Sequence, residues 1–214
     1  MKYITLDIET AREFPTLEDC PEPVQKLWDW YCKKKYPEDE DYPKLYKEKT
    51  GLSSTFARIV CISCSFQVAN GEVRTKSFHN ESENDLLVEF ANMLFESKNY
   101  GLCGHNIKRF DLPFIVQRMW KYGIEIPSQL RLWDKKPWEF NVLDTMEVFS
   151  LNNFGSHISL HEMCSVLGVP TPKDGIDGSM VGDAYHEGRI KEIVEYCEKD
   201  TTATVLCAKE MTGK

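Results

Sequence analysis

The amino-acid sequence predicts an α/β sandwich with a mixed sheet, and three observations carry that prediction. Residues 2–9 alternate, with Ile4, Leu6 and Ile8 on one side and Tyr3, Thr5, Asp7 and Glu9 on the other, the period of a β-strand. Residues 58–68 and 72–78 flank the turn signal Asn70-Gly71, which marks an antiparallel hairpin. From residue 84 onward, helical stripes alternate with short apolar strands, the signature of parallel crossovers. A sheet that receives both kinds of connection is mixed.

The elements follow in order. Between the first strand and the hairpin, residues 11–57 carry Pro15, Pro21, Pro23, Pro37 and Pro43, an acidic run at 38–41 and one short helix at 24–35. This stretch reads as an insertion within a single domain of residues 1–214, because it offers too little apolar sequence for a core of its own. Apolar residues at Leu86, Leu87, Phe90, Ala91, Leu94 and Phe95 make 84–96 a helix. A short strand at 100–103 leads into Gly104-His105-Asn106, and 112–122 is a second helix with Pro113 in its first turn. A strand at 141–143 and a helix at 160–167, stopped by Gly168 and Pro170, come next. Ser179 is placed to cap the following helix, and 189–209 is the last and longest one.

Composition narrows the function classes. The chain has 214 residues, 42% hydrophobic and 28% charged, enough for one substantial core. A formal net charge of -8 argues against coating nucleic acid by bulk electrostatics, but not against gripping a few nucleotides at one place. No apolar run is long enough to span a bilayer, no signal segment precedes the first strand, and no membrane partner is expected. The eight cysteines sit mostly in apolar segments such as IVCISC and VLCA, which suits free thiols in a reducing, cytoplasmic setting. Cys61 and Cys64 have C-x-x-C spacing, yet residues three apart on a strand point to opposite faces, so buried thiols are expected there.

Chemistry enters through three short motifs. Asp7 and Glu9 share a strand face in KYITLDIET, Asp111 closes GHNIKRFD, and Tyr196 and Asp200 lie one helical turn apart in YCEKD. Singly, each has a plain structural explanation: a wet strand face, a helix cap, a solvated helix surface. Brought together, four acids repel one another, and a bound divalent cation is the usual relief.

In this order and on these elements the motifs resemble those of the DEDD superfamily of 3′-to-5′ exonucleases: D-x-E at Asp7-Ile8-Glu9, N-x-x-x-F-D from Asn106 to Asp111, and Y-x-x-x-D from Tyr196 to Asp200. The histidine variant would place histidine five before the last acid, where this chain has Glu195, so the similarity is to the tyrosine branch. That branch includes the proofreading domains of family B DNA polymerases. The segments SLHEMCSVLGVP and DGIDGSMV also resemble a stand-alone group related to those domains.

The resemblance implies a ribonuclease H-like three-layer sandwich and a metal-dependent nuclease that releases nucleotides from 3′ ends, preferably of single-stranded DNA. It implies two divalent cations, Mg²⁺ or Mn²⁺. Asp7 would bridge both, Glu9 and Asp200 would complete the water-activating site, Asp111 would serve the other, and Tyr196 would orient the attacking water. The resemblance also makes the backbone of Thr10 and Ala11, just after the first motif, a candidate for contact with the terminal nucleotide, and Asn106, Lys108 and Arg109 are further candidates for substrate contact. For Asn106 fixing the turn is an equal alternative, and for Lys108 and Arg109 a solvated helix start.

Weaker signals remain. RLWDKKPWEF and KLWDWYCKKKY interleave tryptophans with lysines, a pattern used by single-strand grooves, although core packing is the favoured role for these tryptophans. His157 and His161 lack the H-E-x-x-H arrangement of a metal site, and Asp144 in LDTM reads as a helix cap. Two alternatives stand beside the DNA exonuclease: an exoribonuclease, and a nucleic-acid-binding domain that has lost catalysis.

Overall fold

The computed structural model describes residues 3–68, 71–151, 153, 157–171 and 175–213. Its sheet is built from β1 (Tyr3–Arg12), β2 (Ala57–Gln67), β3 (Val73–Phe78), β4 (Gly101–Gly104) and β5 (Val142–Asp144), in the order β3-β2-β1-β4-β5. The first three pair antiparallel, while β1 with β4 and β4 with β5 pair parallel, so the sheet is mixed as the sequence predicts. Of the hairpin signal, Gly71 lies within the described residues and Asn70 outside them. The helices are α1 (Glu22–Lys35), α2 (Tyr42–Lys49), α3 (Glu83–Glu96), α4 (Asp111–Tyr122), α5 (Thr145–Phe149), α6 (Leu160–Leu167), α7 (Val181–His186) and α8 (Ile190–Thr212).

β1 is the middle strand, and both its faces are covered. Ile4, Leu6 and Ile8 pack with Ile59 and Ile62 of β2 against the apolar stripes of α3 and α4. On the other face, Ala11, Val60 and Cys61 meet Ile193 and Cys197 of α8. Val60 and Cys61 are sequence neighbours facing the same layer because the β1–β2 register slips between Glu9 and Thr10, where β2 carries an extra residue. Such a bulge re-aims side chains beside a site, and it falls directly after the first motif. Cys61 and Cys64 take opposite faces, as their spacing requires.

Polar contacts set the rotation of α8 on the sheet. Ser65 Oγ donates to Thr201 Oγ1 at 3.0 Å, and Ser77 Oγ donates to Glu198 Oε1 at 2.6 Å. Apolar packing alone lets a helix slide, whereas buried hydroxyls must meet their partners. On the opposite layer, Arg118 of α4 and Glu83 of α3 form a buried two-pronged ion pair at 2.8 and 2.6 Å. Glu83 also accepts from the Ile59 backbone N–H and the Tyr122 hydroxyl, which fills its remaining lone pairs.

Three local expectations are corrected. The segment between β1 and β2 holds α2 besides α1, and packs Cys20, Trp28, Cys32, Leu45, Tyr46 and Phe56 into a small cluster of its own; five prolines concealed how many aromatics it carries. Ser179 does not cap α7: its hydroxyl and backbone N–H bond Asp177, and Met180 holds the cap position without a side-chain bond. Among the tryptophans only Trp28 enters a core, while Trp30, Trp120, Trp133 and Trp138 are exposed. Among the described residues no helix is long and apolar enough to cross a membrane.

Candidate active site

The first-motif carboxylates lie where β1 leaves its pairing with β4. That pairing ends at Thr5 and Cys103, which leaves the Ile8 N–H without a strand partner. Asp111 supplies one: its Oδ1 accepts from Ile8 N at 3.1 Å, although 103 residues separate the two. A buried N–H demands an acceptor, and here the acceptor is the second motif's own carboxylate, so closing the sheet edge also assembles the site. Asp111 is the first residue of α4 rather than its cap, which belongs to Phe110.

The loop before Asp111 is pinned by Asp144 at the end of β5. Its carboxylate accepts from Asn106 N at 3.0 Å, Lys108 N at 3.2 Å and Met146 N at 3.1 Å. The capping role read for Asp144 is therefore present, together with a positioning role that the sequence did not suggest. Asn106 takes a positive φ of 58° and its carbonyl accepts from Arg109 N and Phe110 N, which makes it the pivot of the turn. Gly104 is required just before: a Cβ there would lie 2.9 Å from the Leu6 carbonyl and 2.7 Å from Ile107 Cβ.

The third motif descends on the same strand from α8. Cys197 donates its thiol to Asp7 Oδ2 and to the Asp7 carbonyl, each at 3.5 Å. Ligand atoms of Asp7, Glu9 and Cys197 all lie within 4.8 Å of one another. Asp200 and Asp111 stand outside that tight group, yet both raise the proton affinity of Asp7 by their charge. The structure thus brings Asp7, Glu9, Asp111, Tyr196 and Asp200 into one electrostatic unit. Cys197 was not foreseen; its place inside Y-C-x-x-D was the available signal.

Every acid in the unit is pushed toward its protonated form. Burial is the largest cause for Asp7, followed by the charges of Asp111 and Asp200, and burial then Asp7 for Glu9. Burial lifts Asp111 to about 8, against the pull of its own backbone N–H and that of Ile8. Asp200 rises to about 6 through burial, partly offset by its hydrogen bond from Tyr196. The Tyr196 phenol is pushed upward by burial and by Asp200, Glu9 and Asp7, so it stays neutral at ordinary pH. Cys197 likewise keeps its proton, through burial and the neighbouring Cys61.

Buried carboxylates that repel one another fit a cation, and the donor set decides its kind. Carboxylate oxygens select hard ions such as Mg²⁺ or Mn²⁺, while the protonated Cys197 thiol donates to Asp7 and leaves the ligating atoms all oxygen. The exposed His157 and His161 belong to no ligand cluster among the described residues.

A cleft of about 320 Å³ opens beside Glu9, lined among others by Thr10, Arg12, Lys47, Leu52, Phe110 and Gly178. The family model for predicted 3′-5′ exonucleases related to the exonuclease domain of PolB matches residues 50–211. The chain belongs to this family. Its fold is similar to that of the family B DNA polymerase from the hyperthermophilic archaeon Pyrobaculum calidifontis, with a TM-score of 0.61 and 15% sequence identity over 98% of this chain. The fold class is therefore the ribonuclease H-like α/β sandwich expected, with helices on both faces of a mixed sheet. The chain spans 24% of that polymerase's length. No curated protein matches the sequence.

The candidate substrate residues separate in this PolB-related exonuclease fold. Thr10 lines the cleft, where its hydroxyl donates to the Gly51 carbonyl at 2.6 Å. Ala11 is fully buried between β2 and α8, away from the cleft lining. Lys108 pairs with Glu147 at 2.6 Å, Arg109 is exposed at the turn, and Asn106 shapes the turn with its backbone while its buried side-chain Oδ1 meets no hydrogen-bond partner among the described residues. Gly178 passes close over Tyr196: a Cβ there would stand 4.0 Å from the phenol oxygen.

Proposed function

We propose that the chain is a divalent-cation-dependent 3′-5′ exonuclease acting on single-stranded DNA. The observation that supports this most is the convergence of all three motifs on β1: Asp111 on the Ile8 N–H, Cys197 on Asp7, and the charge of Asp200 felt at Asp7. Asp7, Glu9, Asp200 and Asp111 would together hold two cations, Mg²⁺ or Mn²⁺. Bound there, the ions supply charge neutralisation for the attacking water and the departing 3′ oxygen.

The remaining work falls to the chain itself. Tyr196, neutral and held by Asp200, orients the water through its hydroxyl rather than taking its proton. Water's oxygen forms the new bond to phosphorus as the bond from phosphorus to the preceding 3′ oxygen breaks, freeing a 5′-mononucleotide. The cleft beside Glu9 receives the terminal nucleotide against Thr10 and Phe110. The buried free thiols support a reducing, cytoplasmic setting.

The test is a time course on oligonucleotides labelled at the 5′ end, as single-stranded DNA, duplex DNA and RNA of one sequence, with Mg²⁺, Mn²⁺ or chelator. Stepwise shortening of single-stranded DNA that chelator stops is the expected outcome. Preference for RNA would move the reading to an exoribonuclease, and inertness on all three to a binding domain.

A further inference from the structure

The cleft beside Glu9 is lined in part by α2. Lys47 and Glu48 of this helix, like Ile8, Glu9, Thr10 and Arg12 of β1, line the cleft and lie before residues 50–211, which carry the family match. This wall is rigid: Leu45 and Tyr46 are buried in the aromatic cluster, Thr50 Oγ1 donates to the Tyr46 carbonyl, and Thr10 ties Gly51 to β1. Lys47 therefore projects from a fixed helix, not from a loose loop.

The charges lining the cleft are mostly committed. Arg12 is paired with Asp183 and donates to the Pro15 carbonyl at 2.8 Å. Glu48 lies 3.9 Å from Lys44, and Glu9 belongs to the acid unit. Lys47 is exposed and takes part in no ion pair among the described residues. A polyanionic strand entering a chain of net charge -8 beside a carboxylate cluster needs a cation that is not already neutralised.

We infer that α2 is a substrate-gripping wall in which Lys47 pairs with a phosphate of the incoming strand other than the scissile one. The scissile phosphate belongs to the acid unit, so Lys47 reads the strand's backbone and carries no sequence preference. This rests on the nuclease reading above, and it assigns to the inserted segment a role in substrate affinity.

The experiment is titration of a fluorescent single-stranded DNA 15-mer with Mg²⁺ at several salt concentrations, in an Asp200→Ala background that leaves the DNA intact. Lys47→Ala is expected to weaken binding about three- to fivefold at low salt and to flatten the logarithmic salt dependence by about 0.7. Lys47→Arg should restore both, and Lys26→Ala, on α1 and outside the cleft lining, should change neither. Unaltered thermal midpoints confirm that the exposed substitutions spare the fold. Equal binding by Lys47→Ala, or an equal loss in Lys26→Ala, overturns the inference. Absence of binding by the Asp200→Ala parent overturns it together with the nuclease reading. Lys47-dependent binding by a wild-type protein that hydrolyses nothing sinks the nuclease reading alone.

Discussion

Ile8 and Asp111 are joined by a 3.1 Å hydrogen bond from the backbone of the central strand to the carboxylate at the start of α4. The bond lies between Asp7 and Glu9 in sequence, so one acid of the site is also a structural closure of the sheet. Asp111→Ala is expected to remove activity and also to cost about 1–3 kcal/mol, because a buried N–H loses its acceptor. Asp111→Asn keeps an acceptor and removes the charge, so it should be inactive yet at least as stable as the parent without cations. Urea denaturation with chelator compares the two.

The acid unit ties stability to pH. Asp111 and Asp200 are raised from an ordinary value of 3.8 to about 8 and about 6, with Asp7 and Glu9 raised as well. A carboxyl raised on folding contributes stability that is present below its unfolded value and lost as pH climbs through its folded one. The cation-free protein should therefore lose stability from about pH 4 to pH 8. Asp7→Asn should recover about 2–4 °C at pH 8 for each ~1 kcal/mol of repulsion relieved. Scanning calorimetry across that range, with and without Mg²⁺, checks both; a cation-free midpoint that rises with pH contradicts the raised carboxyls.

In the proposed mechanism Tyr196 acts on water and not on the cations. Tyr196→Phe should slow turnover while cation affinity, read from the Mg²⁺-induced rise in thermal midpoint, stays near that of the parent. Loss of that rise would mean that the phenol ligates directly.

Glu83 and Arg118 lock α3 to α4 behind the site. Without Glu83 the buried Arg118 keeps only Glu13, at 3.6 Å, as an ion partner, so Glu83→Ala should cost about 3 kcal/mol. Chemical denaturation gives the value, and a loss below ~1 kcal/mol would show that water reaches the pair.

Trp120 and Trp133 hold their rings 5.6 Å apart, both more than half exposed at 59% and 54%. Large exposed aromatics beside lysines suit stacking with bases. Trp133→Ala should therefore lower single-stranded DNA affinity by about 1 kcal/mol or more while changing stability by under ~0.5 kcal/mol. Fluorescence titration beside thermal melting tests the difference.

Much of this was legible in sequence because period and motif speak directly. The alternation that put Asp7 and Glu9 on one face survives in β1, and Tyr196 and Asp200 share a helix face as spacing four requires. What stayed hidden depends on contacts between remote segments. No local pattern announces that Asp144 pins the turn at Asn106, or that Cys197 reaches Asp7 across 190 residues. Ring size argues for burial of Trp133 and Trp138, and only the folded packing leaves both exposed. Lys47 had no motif at all, and its place follows from how the inserted segment folds back onto Thr10 and Gly51.

If five side chains from three motifs form one cation-dependent site for cutting 3′ ends, loss of a single acid should stop release. Release of 5′-mononucleotide from a 3′-labelled single-stranded DNA, compared between wild type, Asp7→Ala and Asp200→Ala in Mg²⁺, tests it most directly. The wild type should release it steadily and neither variant above background, with both variants folded. Undiminished release by Asp7→Ala or Asp200→Ala would contradict it.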